Sequence, residues 1–338
     1  MTWKIFDRTK KDPHKEIAKL VKHQPPTWRM TGKMAGDSRG KIYHIDKEAE
    51  QMINAALYLR RPLLVTGKPG TGKTTLAYAV ARQLGLGEVL KWPISTRSTL
   101  QEGLYEYDAI GRLQAQNLAN LGGNSEERQT VSIEDFIQLG PLGTVMLPSP
   151  IPRVLLVDEI DKSDLDLPND LLSVFEDGYF RIPELLREAD GNTADRSYKL
   201  RTHYTEKPKD TETDPRYYDL KLEDGDVIRC DPAYPFIVLT SNGERDFPPA
   251  FLRRCIRLDL QPPSEKALKE IAQEYLQAQK LNYDKLDDLI GKFLEKRNAG
   301  TLATDQLLNA IYMAIKGQGD ETAKAELIEQ LLRPLDER

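Results

Sequence analysis

Three short apolar runs stand out in a chain whose polar and apolar positions are otherwise interleaved: Leu63-Leu64-Val65-Thr66, Val154-Leu155-Leu156-Val157 and residues 236–240. Their length and lack of alternation predict strands buried on both faces, as in a parallel sheet. Residues 90–94 and 255–260 are further strand candidates. Helical spacing dominates elsewhere. Asp46 reads as an N-cap, and Ala49, Met52, Ile53, Ala56 and Leu57 after it form one stripe. Helices are expected at about 74–83, at 133–138 and at 167–175, and Pro248-Pro249 can open another, since proline is tolerated in a first turn. Beyond Pro262-Pro263 only helical periodicity remains, in Leu268, Ile271, Ala272 and Tyr275, then Leu286, Leu289, Ile290 and Phe293, then Leu307, Leu308, Ile311 and Tyr312.

This texture divides the chain into an irregular extension at 1–45, an α/β domain at 46–262 and a small all-helical domain at 263–338. Gln24-Pro25-Pro26 and Gly122-Gly123-Asn124 mark loops. Residues 181–234 are polar and charged, with a turn at Glu223-Asp224-Gly225-Asp226, and read as an insertion carrying a hairpin. No internal repeat and no low-complexity segment interrupts the pattern.

The 338 residues suit about two folded units. Hydrophobic residues at 39% and charged residues at 30% place the chain among globular proteins rather than disordered ones. The net charge of −5 is uneven. Residues 1–33 carry nine Lys/Arg against three Asp/Glu, or +6, which leaves the remainder at −11. A basic arm of this kind is either a solvated extension or a contact for an acidic partner or nucleic acid. The acidic body argues against a dedicated nucleic-acid surface, which needs clustered cations. Cys230 and Cys255 form no CxxC, and His14, His23, His44 and His203 form no HExxH, so neither zinc nor redox-dithiol chemistry is supported. The first residues lack the apolar stretch of a secretion signal, and no apolar run approaches the roughly 18 residues that cross a bilayer. The expected location is the cytoplasm, with no membrane contact.

Chemistry concentrates in four places. Gly67-Lys68-Pro69-Gly70-Thr71-Gly72-Lys73-Thr74 is a complete GxxxxGK[ST], and Thr75 continues it into the helix. Its glycines let successive backbone N–H groups converge on one phosphate, and the following helix points its partial positive end the same way. Lys73 is expected on the β- and γ-phosphates of ATP and the Thr74 hydroxyl on Mg²⁺. The apolar run ending at Val157 delivers Asp158 and Glu159 at the ligand-binding end of a parallel strand. Asp158 would hold Mg²⁺ through water, and Glu159 would polarise the attacking water. Asn242 follows the third run. Its amide can bind water and a phosphate oxygen together, although Ser-Asn-Gly is also a common turn. Arg253 and Arg254 are adjacent at an expected helix end, where arginines serve as surface charge or as a finger that stabilises phosphoryl transfer in a neighbour's site.

The P-loop, the Asp-Glu strand, the Ser-Asn strand and the Arg helix, in this order and followed by helices, resemble the AAA+ ATPases over about residues 46–316. Within them the chain resembles the MoxR-like branch. The finer likeness rests on Ser98-Thr99-Leu100-Gln101-Glu102-Gly103-Leu104, on Leu139-Gly140-Pro141-Leu142-Gly143, and on Asp158-Glu159-Ile160-Asp161-Lys162-Ser163 with Leu171-Leu172. Thr240-Ser241-Asn242 with Pro249-Ala250-Phe251-Leu252-Arg253-Arg254 fits as well. The resemblance implies a P-loop NTPase fold with a five-stranded parallel sheet flanked by helices and a helical lid. It also implies a hexameric ring with ATP between subunits. It makes Asn242 the sensor and Arg254 the finger, with Arg253 close behind. Residues 95–125 and 181–234 become a helix-2 insert and a hairpin before the sensor strand. Tyr105 and Tyr107 fall in the first insert, where they either pack or line a pore. A sensor arginine often opens a lid helix in such proteins, but Asn298-Ala299-Gly300-Thr301-Leu302-Ala303-Thr304-Asp305 contains none, and Lys296 and Arg297 just before it are left unassigned.

The implied work is remodelling of proteins, often with a von Willebrand factor A partner, which here would act in trans. Two other readings remain open: a nucleic-acid-directed motor, motivated by the basic arm, and a nucleotide-gated scaffold with little turnover, motivated by the lid sequence. A guanine reader of the NKxD type and an LSGGQ-like stretch are both missing, which disfavours a GTPase and a transporter ATPase.

Overall fold

A computed structural model describes residues 26, 40–41, 43–121, 131–188, 197–205, 214–221, 227–278, 284–316 and 321–334. The basic arm at 1–33 (apart from Pro26), the loop at Gly122-Gly123-Asn124 and the turn at Glu223-Asp224-Gly225-Asp226 lie outside the described residues. The chain forms two compact units. One comprises Lys47–Thr66 and Val80–Asp259; the other joins Met1–Asp46, Gly67–Ala79 and Leu260–Arg338.

The first unit is built on five parallel strands: β1 (Leu63–Thr66), β2 (Val89–Pro93), β5 (Val154–Asp158), β10 (Phe236–Ser241) and β11 (Ile256–Asp259). Their order across the sheet is β11-β1-β10-β5-β2. All four pairings are parallel, with Thr66 opposite Ser241 and Pro93 opposite Asp158. The C-terminal ends of β1, β5 and β10 therefore share one edge. Every residue of β10 is buried, as are the first four of β5, which is why these strands read as unbroken apolar runs. Helix α1 (Lys47–Leu59) buries Ala49, Ile53 and Ala56 at the predicted spacing. Helix α2 begins in the second unit and spans Lys73–Leu84.

The connections build a second sheet. Short helix α3 (Leu100–Leu104) leads into β3 (Tyr105–Tyr107) and then α4 (Ala109–Leu121). Strand β4 (Ile137–Leu139) follows, then α5 (Pro141–Val145). β3 pairs antiparallel with β4, and β4 pairs with β7 (Ser197–Arg201), itself half of an antiparallel hairpin with β8 (Tyr217–Lys221). A hairpin is expected within 181–234; the one observed joins its strands between residues 201 and 217, ahead of the turn expected at 223–226. The helix expected at 133–138 is only a 3₁₀ turn at Ile133–Phe136, after which the chain extends. Ile137 and Leu139 are buried while Gln138 is exposed, the alternation of a paired strand rather than a helix. Helix α6 (Leu167–Asp177) buries Leu167, Leu171, Leu172, Val174 and Phe175. Strands β6 (Tyr179–Phe180) and β9 (Ile228–Arg229) form a small antiparallel pair, with α7 (Pro183–Glu188) following β6. Helix α8 (Pro249–Arg254) links β10 to β11, with proline at its start.

Among the described residues of the second unit, α9 (Glu265–Ala278), α10 (Leu286–Ala299) and α11 (Thr304–Lys316) carry the expected periodicity, and α12 (Glu321–Leu331) follows them. Leu268, Tyr275, Ile290, Phe293, Leu307 and Ile311 meet in its core. Among the described residues no helix is long and apolar enough to cross a membrane.

Candidate functional site

The chain leaves β1 at Thr66 and turns at once through three glycines with left-handed φ: Gly67 at 145°, Gly70 at 77° and Gly72 at 94°. L-residues rarely adopt these angles, so the curled loop requires glycine. The Thr71 hydroxyl donates to the Lys68 carbonyl at 2.9 Å, closing the turn. Lys73 is 8% exposed and its ammonium donates to the carbonyls of Gly67 at 2.6 Å and Lys68 at 3.0 Å. Helix α2 starts at Lys73 with no acidic residue in its first turn, which leaves its N-terminal end suited to an anion. Thr74 and Thr75 follow in the same turn and are half-buried. The loop suits a triphosphate: a curled backbone, a buried ammonium and a hydroxyl in the position that ligates Mg²⁺.

Within the same unit the loop borders a cleft of about 270 Å³, lined by Lys68, Gly70, Thr71, Arg297, Asn298 and Thr301 among others. The Thr304 N–H donates to the Gly70 carbonyl at 3.4 Å. Arg297 lies in the last turn of α10, donates to the Pro263 carbonyl at 2.7 Å and stacks over Phe293 with 5.7 Å to the ring centroid. Burial lowers the pKa of its guanidinium, which nonetheless stays charged at neutral pH. Sequence reading left Arg297 unassigned. The available signal was a basic residue in the helical turn before Asn298 and Gly300; what it lines is decided by tertiary structure.

In the first unit Asp158 ends β5, and Glu159 follows at φ 63°, ψ 49°, a left-handed conformation unusual for a side chain of this size. Such backbone costs about 1–3 kcal/mol and persists where surrounding contacts impose it. Here they are visible. The Glu159 N–H donates to the Thr240 hydroxyl at 2.9 Å, and that hydroxyl donates to Asp158 Oδ1 at 2.7 Å. Thr240 is 1% exposed at the tip of β10, so the bonds are fixed inside the sheet. The other carboxylate oxygen, Asp158 Oδ2, pairs with Lys91 Nζ at 2.6 Å. Glu159 Oε2 accepts from Lys162 Nζ at 2.7 Å, and this bond raises the Lys162 pKa. Asn242 is half-buried one residue beyond β10, on the edge where β5 ends. Asp158, Glu159 and Asn242, predicted separately, are thus brought together, and Thr240 is the link that sequence reasoning missed.

Arg253 and Arg254 close α8. Arg253 is exposed, and its carbonyl accepts from Arg61 Nη1 at 3.3 Å. Arg254 Nε donates to Glu176 Oε1 of α6, and its Nη1 to the Ala250 carbonyl at 3.3 Å. The guanidinium holds the Glu176 carboxyl below its ordinary pKa, chiefly through that hydrogen bond. Arg254 and Glu176 line a cleft of about 510 Å³ with Arg60, Arg61, Cys230 and Tyr234.

Two motif stretches turn out to be one packing unit. Thr99 caps α3 in a reciprocal box with Glu102, with bonds of 3.3 and 3.2 Å. Helix α5 then lies so close to α3 that a Cβ on Gly143 would stand 1.9 Å from the Leu104 carbonyl oxygen. Tyr105 is buried, with its hydroxyl donating to Glu184 at 2.8 Å, so it packs. Tyr107 is half-buried and accepts from Arg112 at 3.3 Å.

Comparison with known proteins adds three findings. The ATPase family associated with various cellular activities (AAA) matches residues 63–261, more than half of the chain. Among solved structures, that of C. elegans PCH-2 is similar at 15% identity and a TM-score of 0.40, covering 88% of this chain and 72% of that one. No curated protein matches the sequence.

Proposed function

This chain belongs to the AAA family of ATPases and hydrolyses ATP, and on that premise we propose that it is a MoxR-like motor. In this reading it couples hydrolysis at the subunit interfaces of a hexameric ring to the remodelling of partner proteins. The close-packed α3–α5 unit supports the MoxR-like reading, because it is made from two of the stretches that carry that likeness. A protein with a von Willebrand factor A domain, acting in trans, suits this role. Residues 46–262 would form the ATPase domain, 263–338 the lid and 1–45 an accessory arm.

Lys73 holds the β- and γ-phosphates, exchanging its bonds to the Gly67 and Lys68 carbonyls for phosphate oxygens. Thr74 and Asp158 would hold Mg²⁺. Bound there, Mg²⁺ would supply neutralisation of phosphate charge. Glu159 takes a proton from the water that attacks the γ-phosphorus as the bond to the ADP oxygen breaks. Its pair with Lys162 is solvent-exposed and therefore weak enough to open. Asn242 orients that water against the γ-phosphate. Arg254 reaches the neighbouring subunit's γ-phosphate on leaving Glu176, with Arg253 beside it. Arg297 supplies the lid's cation toward the nucleotide, which supports turnover over a silent scaffold.

The left-handed backbone of Glu159, held by Thr240, carries this assignment. The test is Glu159→Gln. It should bind ATP with unchanged affinity while turnover falls at least about 100-fold. Turnover at the parental rate would remove Glu159 from the mechanism.

A further inference from the structure

Two turns at the strand edge grip each other, and the grip is reciprocal. Asp161 lies in the 3₁₀ turn at Ile160–Lys162 and is 5% exposed. Its Oδ2 accepts the N–H of Asn242 at 2.9 Å and the N–H of Glu244 at 3.1 Å. From the opposite side, Arg245 Nη2 donates to the carbonyls of Ser163 at 2.7 Å and Asp164 at 2.8 Å. Each turn thus supplies a charged side chain to the other's backbone. Inside the clasp the turns are tied further: the Ser163 hydroxyl donates to the Ile160 carbonyl at 2.9 Å, and the Gly243 N–H donates to the Ser241 hydroxyl at 3.0 Å.

A carboxylate is expensive to bury, and this one is buried to accept backbone donors. Two N–H groups on one oxygen fix the Ser241–Asn242 and Gly243–Glu244 peptides, and so fix where the Asn242 side chain begins. We infer that Asp161 and Arg245 are positioning residues for hydrolysis, clasping the turn after β5 to the turn after β10 so that Asn242 is held against the water served by Glu159. The inference rests on the role proposed for Asn242. Neither Asp161 nor Arg245 touches the nucleotide in this account. Their effect is on placement, which at about 1 Å of error can cost roughly 100-fold in rate.

The experiment is a double-mutant cycle on the full chain, reading ATPase kcat, KM for ATP, and thermal unfolding. Asn242→Ala should lower kcat by about 10- to 100-fold with KM little changed. Asp161→Ala should lose a similar factor. Asp161→Asn, whose carbonyl oxygen can accept the same two N–H groups, should recover most of it. The double variant should be no more than about threefold slower than Asn242→Ala alone, because the clasp acts through that residue. Multiplying losses would overturn the inference, since Asp161 would then act independently of Asn242. A slow Asn242→Ala with a parental-rate Asp161→Ala overturns the inference and leaves the role of Asn242 standing. A parental-rate Asn242→Ala removes that role and the inference with it. If Asp161→Ala does not fold, Arg245→Ala decides, being only half-buried. It should bind ATP normally and turn over several-fold slower, and a parental kcat there overturns the clasp.

Discussion

A single hydroxyl, that of Thr240, accepts from the Glu159 N–H and donates to Asp158 Oδ1. Thr240→Val keeps the shape and takes that partner from both. Unsatisfied buried polar groups cost about 1–3 kcal/mol, so urea unfolding should show a loss of that size. ATP turnover should fall while Thr240→Ser stays near the parental rate; equal activity in both variants would separate the hydroxyl from catalysis. Other residues are set chiefly by burial. It pushes the Cys255 thiol up to about 12 and raises that of Cys230 as well. The thiolate is the reactive form, so at pH 8 neither should alkylate in the folded protein and both should in urea. Native labelling at the rate of an open thiol would contradict the packing described. At this scale the sequence was informative wherever chemistry lies in consecutive residues, as from Gly67 to Thr74. Thr240 was silent because its partners lie some 80 positions away, and only the pairing of β10 with β5 brings them together.

Helices α3 and α5 show what an element can conceal. Each is five residues long, too short for periodicity to reveal, and their contact depends on Gly143 facing the Leu104 carbonyl. Gly143→Ala forces the helices apart. Overpacking of this kind costs about 1–3 kcal/mol, or a melting point lower by roughly 2–4 °C for each of those kcal/mol in a domain of this size. An unchanged melting point would mean that the two elements are not in backbone contact. Strands β3 and β4 were hidden for the same reason, since three residues are too few for alternation to be told from chance in the sequence. β1, β5 and β10 were legible because parallel strands buried on both faces carry unbroken apolar runs. The C-terminal helices α9, α10 and α11 were legible for the opposite reason: each has one buried stripe long enough to repeat. What those helices do with Arg297 was not, because a helix's last basic residue looks the same whether it meets solvent or lines a cleft.

For the whole molecule the account is that ATP is shared between subunits. One subunit would supply Lys73, Thr74, Asp158, Glu159 and Asn242, and the next would supply Arg254. In the isolated chain Arg254 is engaged by its own Glu176, so its work in trans would begin when assembly offers a stronger anion. Two inactive variants test this directly. Lys73→Ala keeps a working arginine beside a dead P-loop, and Arg254→Ala keeps a working P-loop beside a missing arginine. Mixed one to one, they should form rings in which about a quarter of interfaces join the working halves, as random placement around a cyclic assembly requires. ATPase activity should recover to roughly that fraction of the parental rate and vanish at either extreme of the ratio. No recovery at any ratio, with mixed rings verified by native mass spectrometry, would contradict the shared site.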